Sequence, residues 1–150
     1  MLRLIAGIHI AYHFNEFNVL GSDRPLDQTN GLAYLGNRWV RQSAFTGQSA
    51  YTGDIRVGDM MKKWQMDNIE RRDELVEVLG IDLDWHMHEV SDGQRKRVQI
   101  MIALLKPFRL VIIDEFLSEL DIVVRDKMFH YLKKECKLRN GSLIYATHVF

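Results

Sequence analysis

Two adjacent carboxylates, Asp114 and Glu115, follow the apolar run Leu-Val-Ile-Ile at residues 110–113. The run lacks the alternation of a half-exposed strand, which predicts a strand that is covered on both faces. Enzymes that act on nucleoside triphosphates hold Mg²⁺ through a carboxylate at the end of such a strand, and the following acid can orient or deprotonate the attacking water. The alternative is a strand end that carries two solvated acids.

A polar turn, Ser-Asp-Gly-Gln at residues 91–94, opens a basic amphipathic segment. Ser91 and Gln94 have the spacing of a capping box, in which each side chain accepts from the backbone N–H of the other residue. A helix N-terminus that bears a serine, Gly93 without a Cβ and free N–H groups is also an anion site. Asp92 suits the helix dipole but would repel a phosphate, so the turn is consistent with either a plain helix cap or a phosphate contact.

The segment Ser-Glu-Leu-Asp at residues 118–121 comes directly after the acid pair. Its simplest role is to supply the N-cap of the next helix, from Ser118 or Asp121. His148 follows the last apolar run of the sequence, and it would lie beside Asp114 if the two strands are neighbours. A lone histidine at such a position is more often a structural or surface residue.

His86 and His88, flanked by Asp84 and Glu89, superficially resemble a metal site. A Cys/His ligand set of the usual kind is absent, and we therefore expect no metal at these histidines.

Composition and charge narrow the class of protein. The formal net charge is zero, so no global field favours nucleic acid or an anionic membrane, and neither is expected as a partner. The longest apolar runs, at residues 100–105 and 110–113, are too short to span a bilayer. Cys136 is the only cysteine, which excludes an intrachain disulfide and favours an intracellular protein, and we expect it in the cytoplasm and also in the nucleus.

Periodicity predicts an α/β fold with parallel strands and a helical insertion. Strands are predicted over residues 15–20, 32–35, 110–114 and 142–146, and helices over 57–64, 68–79, 92–106 and 122–138. The last strand–helix–strand unit predicts a right-handed parallel crossover. The residues expected to face the core are Ile69, Leu75, Val76, Leu79, Val98, Met101, Ile102, Leu105, Val124, Met128, Tyr131 and Leu132.

Taken in order along the chain, these motifs resemble the ABC-type ATPase domain. Residues 90–94, Val-Ser-Asp-Gly-Gln, stand for the usual signature Leu-Ser-Gly-Gly-Gln, and the acid pair, the loop at 118–121 and the switch histidine His148 follow. The segments 15–21 and 33–39, with the signature, look more narrowly like the small soluble ABC ATPases that lack a membrane domain. These are the plant subfamily I members and the fungal factor associated with the NOT complex.

The resemblance implies a role for each matching position. Ser91, Gly93 and Gln94 would contact the γ-phosphate of an ATP that is held by the opposite protomer of a head-to-tail homo- or heterodimer. Asp114 would hold Mg²⁺ and Glu115 would activate water. Asp121 would communicate across the dimer, and His148 would sense the γ-phosphate. The usual glutamine has no counterpart near Asn37.

The phosphate-binding loop (Walker A) is missing, because no glycine in the sequence is followed by lysine. The resemblance implies that residues 1–7 are the remainder of the helix that the loop opens. We therefore expect one incomplete domain: a core remnant at residues 1–55, a helical signature subdomain at 56–106, and a core running from the Walker B strand to the switch histidine at 107–150.

Two functions remain open at this stage. The first is part of a soluble ABC ATPase that hydrolyses ATP with Mg²⁺, the isolated chain being inactive for lack of the phosphate loop. The second is a non-catalytic module that acts through a full-length partner or docks on a regulatory complex by residues 57–105. The chromosome-organising ABC class is excluded, because the chain lacks the long heptad repeats of that class.

Overall fold

The computed structural model describes residue 20, residues 31–36 and residues 55–147. In this part of the chain we number three strands and four α-helices in chain order. They are β1 (Leu32–Gly36), α1 (Lys62–Asp67), α2 (Ile69–Leu79), α3 (Asp92–Leu104), β2 (Leu110–Asp114), α4 (Ile122–Arg139) and β3 (Ser142–Ala146). Two short 3₁₀ helices lie at Val57–Asp59 and Phe116–Glu119. The predicted strand over residues 15–20 falls outside the described residues except for residue 20.

The three strands form one parallel sheet in the order β1-β2-β3. β2 is central, and its first four residues are buried, which confirms the prediction drawn from its lack of alternation. The register pairs Asp114 with Gly36 on one side and with Ala146 on the other. The carboxyl end of β2 therefore lies between the ends of its two neighbours.

One predicted helix is divided in the structure. Residues 57–64 form the 3₁₀ turn Val57–Asp59 and the start of α1, and Met61 between them has a left-handed backbone with φ of 49°. The buried amide of Gln65 explains this break, because its Nε2 donates to the carbonyl of Val57 at 2.9 Å and also to that of Met60. A continuous helix would remove these bonds, so hydrogen bonds from one side chain outweigh the helical pattern of the segment.

Most of the predicted core is buried. Leu75, Leu79, Val98, Met101, Leu105, Met128, Tyr131 and Leu132 are buried, and Val76, Ile102 and Val124 are half-buried against them. The prediction for Ile69 was wrong, since it remains 42% exposed at the first position of α2. Arg71 is buried in that helix instead.

Arg71 joins the helical part of the chain to α4. Its Nη1 donates to the carboxylate of Glu135, and its Nε donates to the carbonyl of Leu104 at 2.6 Å. The guanidinium also lies against the rings of Phe108 and Tyr131. Because Arg71 and Glu135 are both buried, this pair fixes how α2 and α4 pack together.

Candidate functional site

The acid pair lies at the carboxyl end of the central strand. Asp114 is the last residue of β2 and is half-buried, and its Oδ2 accepts a hydrogen bond of 3.1 Å from the hydroxyl of Tyr34 on β1. Ligands of parallel α/β sheets bind at this edge, beyond the ends of the strands. The sequence prediction that Asp114 ends a buried strand is therefore confirmed.

Glu115 has a left-handed backbone, with φ of 58° and ψ of 4°, at the point where the chain leaves the sheet. Its amide donates to the carbonyl of Ala146 on β3 at 2.9 Å, which holds the turn in place. A left-handed conformation costs an L-residue roughly 1–2 kcal/mol, and such strain collects at functional sites. Glu115 therefore follows Asp114 in a strained turn whose backbone is bonded to β3.

The signature turn, residues 91–94, forms the capping box that the sequence predicts. Ser91 Oγ accepts from the amide of Gln94 at 3.2 Å, and Gln94 Oε1 accepts from the amide of Ser91 at 2.8 Å. A Cβ added to Gly93 would meet no atom within 4 Å, so the space beside the helix N-terminus is open. Asp92 is fully exposed and pairs with Arg95 at 3.2 Å. The N-terminus of α3 thus faces solvent.

Asp121 is the N-cap of α4. Its Oδ1 accepts from the amide of Val124 at 3.0 Å, and its Oδ2 accepts from Arg97 Nη2 at 2.8 Å. Arg97 lies on α3, one turn beyond the signature turn, and its other terminal nitrogen reaches the carbonyl of Leu79 at 3.4 Å. The residue predicted to communicate across a dimer is therefore joined to the signature helix within its own chain.

His148 and the position near Asn37 lie outside the described residues. The condition attached to His148 is met, because β2 and β3 are neighbours and Asp114 pairs with Ala146. Thr147 is the last residue described before it. The role of His148 as a phosphate sensor stays a prediction.

Sequence reasoning missed Tyr34 and Arg97. The sequence carries one faint signal for Tyr34: Gly36 stands two residues later, on the same face of the strand, and leaves space for the ring. Arg97 carries no comparable signal, because its partner Asp121 is distant along the chain and only the packing of α3 near α4 brings the two together.

The donor set suits a hard cation that shares its ligands with phosphate. Asp114 and Glu115 offer carboxylate oxygens, and Mg²⁺ usually takes one or two carboxylates, completing its shell with phosphates and water. Within residues 55–147 and 31–36, no group of three or more potential metal-ligating side chains exists, so a metal held by the protein alone is not indicated there.

Comparison with known proteins identifies the family of the chain. Residues 7–118 match the sequence model of the family described as ABC transporter. The chain belongs to this family. Among the helices of the described ranges, none is long and apolar enough to span a bilayer.

Three relatives match the narrower resemblance. ABC transporter I family members 20 and 21 of Arabidopsis thaliana are 40% and 36% identical to the chain across its whole length. CCR4-associated factor 16 of Saccharomyces cerevisiae is 39% identical, again over the whole chain. The likeness to the plant subfamily I members and the fungal factor is confirmed. The chain covers 47%, 55% and 55% of these proteins, so it spans about half of their length.

Solved structures of ABC ATPases share the fold. An ABC transporter ATP-binding protein from Pyrococcus furiosus superposes with a TM-score of 0.65 at 16% identity, covering 99% of this chain and 72% of that one. The RNase-L inhibitor gives a TM-score of 0.65 at 19% identity, covering 96% of this chain and 25% of that one. The chain therefore has the α/β fold of the ABC-type P-loop NTPases, as the sequence predicts.

Proposed function

We propose that this chain is part of a soluble ABC ATPase that binds and hydrolyses ATP in a head-to-tail homo- or heterodimer. The observation that carries the proposal is the acid pair at the end of a central buried strand, with Asp114 in the sheet and Glu115 in a strained turn after it. The solvent-facing N-terminus of α3 supplies the second half of such a site, the surface that would meet an ATP held by the partner.

Asp114 would hold Mg²⁺, which would neutralise phosphate charge when bound. Glu115 would orient or deprotonate the attacking water, and its backbone is already held at the sheet edge by Ala146. His148 would contact the γ-phosphate from the end of β3. Ser91, Gly93 and Gln94 would contact the γ-phosphate of the partner's ATP, and Asp121 would transmit its state.

We also propose domain boundaries, a cellular compartment and a partner for this protein. The domain divides into residues 1–55, 56–106 and 107–150, as set out from the sequence. The protein acts in the cytoplasm, with the nucleus as a second compartment, and without direct membrane insertion or nucleic-acid binding. The name of the yeast relative, CCR4-associated factor 16, supports a regulatory complex of the CCR4-NOT kind as a partner.

The isolated chain should neither bind nor hydrolyse ATP measurably. A Gly-Lys phosphate-binding loop supplies most of the contacts to the β- and γ-phosphates, and no glycine here is followed by lysine. Phosphate release by the purified chain in Mg-ATP should equal that of buffer. Mg-dependent turnover that disappears in Glu115→Gln would contradict this expectation.

The mass of the native protein tests the proposal as a whole. An antibody against residues 57–79 would precipitate the protein from its source, and intact mass spectrometry would compare it with the 17.6 kDa of this chain. A larger product that hydrolyses ATP, and whose Glu115→Gln variant does not, is the expected result. A larger product without Glu115-dependent hydrolysis would overturn the proposal.

The alternative is a non-catalytic module that docks through its helical part. The observation that favours it is the exposure of two large apolar residues there, Met66 at 56% and Ile69 at 42%. A native product with the same mass as this chain would favour the non-catalytic module over the ATPase. ATP-dependent co-purification of a full-length ABC ATPase with the chain would then support it, and replacement of Met66 and Ile69 by serine should leave the fold intact but reduce docking.

A further inference from the structure

Tyr34 and Asp114 meet across neighbouring strands at the edge of the sheet where the acid pair lies. β1 pairs with β2 in parallel, with Gly36 opposite Asp114. Tyr34 stands two residues before Gly36, so both lie on the same face of β1. The tyrosine side chain runs along the strand toward its carboxyl end, and its hydroxyl donates to Asp114 Oδ2 at 3.1 Å.

The absence of a side chain at Gly36 leaves the space that the Tyr34 ring occupies on its way to Asp114. An added Cβ at this position would lie 2.3 Å from the hydroxyl oxygen of Tyr34 and 2.5 Å from its Cε1 and Cζ. Real Cβ atoms essentially never approach a non-bonded atom this closely, so a side chain at position 36 would require the ring to move. The glycine is required here because the ring lies against it.

The rest of the ring is held by apolar neighbours. Tyr34 packs with Leu110 and Ile112 of β2 and with Leu32 of its own strand. A phenylalanine would make the same apolar contacts, so packing alone explains the ring but not its hydroxyl.

We propose that Tyr34 is a positioning residue for Asp114, one that fixes the orientation of the carboxylate before a divalent cation arrives. This inference rests on the proposed function, in which Asp114 holds Mg²⁺. Carboxylates that bind metals are themselves held by hydrogen bonds, and removal of such a partner typically lowers metal affinity by about 10–100-fold. Tyr34 supplies this hydrogen bond from the adjacent strand, and Gly36 admits it.

The first measurement establishes the contact without any metal. The chain contains five tyrosines, and biosynthetic labelling with 3-fluorotyrosine gives each a ¹⁹F resonance. Loss of one signal in Tyr34→Phe assigns that residue. The Tyr34 signal should shift in Asp114→Ala and in Gly36→Ala. The signal of Tyr145, which lies on β3 on the other side of β2, should not shift.

The second measurement is the binding of Mn²⁺ in the presence of ATP, followed by electron paramagnetic resonance on the larger native product that the proposed function expects, because Mg²⁺ at such a site shares its ligands with phosphate. The Mn²⁺ binding that is lost in Asp114→Ala is the binding that depends on this site. Tyr34→Phe should weaken that binding by about 10-fold, and Tyr145→Phe, which removes the same atom from the strand on the other side, should not change it.

Four results have separate meanings. A shifted Tyr34 resonance together with weaker Mn²⁺ binding in Tyr34→Phe supports the inference. If the Tyr34 resonance does not shift in Asp114→Ala, the inference is overturned, because the hydroxyl is then not hydrogen-bonded to that carboxylate. A shifted resonance with unchanged Mn²⁺ affinity overturns the positioning role and leaves a structural bond. Wild-type Mn²⁺ binding no different from that of Asp114→Ala would refute the metal site of the proposed function, and the inference with it, while the ¹⁹F coupling stayed intact.

Discussion

Arg97 on the signature helix donates from Nη2 to Oδ2 of Asp121, 2.8 Å away, while Oδ1 of the same carboxylate caps α4. Both oxygens of Asp121 are therefore in use inside the chain. The pair joins the helix that starts at the signature turn to the loop that follows the acid pair. A displacement of α3 would therefore move or break the hydrogen bond between Arg97 and Asp121.

Substitutions at Asp121 separate the cap from the ion pair. Asp121→Asn keeps a good N-cap and should change the free energy of unfolding by no more than about 0.5 kcal/mol, because the pair with Arg97 is partly exposed. Asp121→Ala removes the cap as well and should cost about 1–2 kcal/mol. Urea denaturation measures both, and equal losses in the two variants would mean that the charge matters more than the cap.

Gly93 offers a test of function that does not disturb the fold. Gly93→Ala introduces a Cβ with no atom within 4 Å, and alanine favours helix, so the free energy of unfolding should rise by about 0.5 kcal/mol. The same methyl would stand where the partner's phosphate is proposed to lie. ATP-dependent association with a full-length ABC ATPase partner, followed by gel filtration, should fall at least about 10-fold, a loss of roughly 1.4 kcal/mol.

Ser91→Ala tests a second proposed phosphate contact in the same turn. It removes the hydroxyl that accepts from Gln94 and should cost about 1 kcal/mol of stability. Association that survives both Gly93→Ala and Ser91→Ala would contradict a contact between this turn and the partner's phosphate.

Features set by hydrophobic pattern or by capping spacing were predictable from the sequence, and features set by how individual side chains pack were not. The strand β2 and the cap at Ser91 depend on neighbouring residues, and both appear as predicted. The break at Met61 depends on a buried Gln65 amide, which a helical pattern does not reveal. The bond from Tyr34 to Asp114 spans 80 residues of sequence, so only the pairing of β1 with β2 discloses it.

The buried pair of Arg71 and Glu135 should make stability depend on acid pH. Burial alone would raise the pKa of Glu135, but its hydrogen bonds and charge interactions with Arg71 and Arg139 prevail and hold this pKa below its usual value. The stabilisation is therefore fully present above the pKa of an unfolded glutamate and is lost as pH falls through the lower folded value. Urea midpoints between pH 3 and 7 should show this fall, with the range chosen to bracket about 4.3 for a free glutamate.

Glu135→Gln should remove that part of the pH dependence. At neutral pH it should also cost about 3–5 kcal/mol, because the buried guanidinium of Arg71 loses its counter-charge. Glu74→Gln is the matched control, since it makes the same substitution in the exposed pair with Lys134 between the same two helices. Similar losses in the two variants would contradict a special role for the buried pair.

Gly36 and Tyr34 should be energetically coupled. With tyrosine at position 34, Gly36→Ala forces the ring off its path and should cost about 1–3 kcal/mol, the usual range for overpacking. In a Tyr34→Val background the ring is gone, and the same change should be neutral or slightly stabilising, because glycine weakens a strand. A double-mutant cycle from urea denaturation should thus give a coupling energy of about 1–3 kcal/mol.

The control for this cycle pairs Gly36→Ala with Tyr145→Val, which removes a tyrosine from β3 on the other side of β2. These two changes should add to within about 0.5 kcal/mol, since the two residues lie on strands that do not pair with each other. Additive behaviour in the Tyr34 cycle as well would show that the ring does not cross Gly36 in solution. The hydroxyl of Tyr34 would then not be held within hydrogen-bonding distance of Asp114. The orientation of that carboxylate would depend on water or on the bound phosphate.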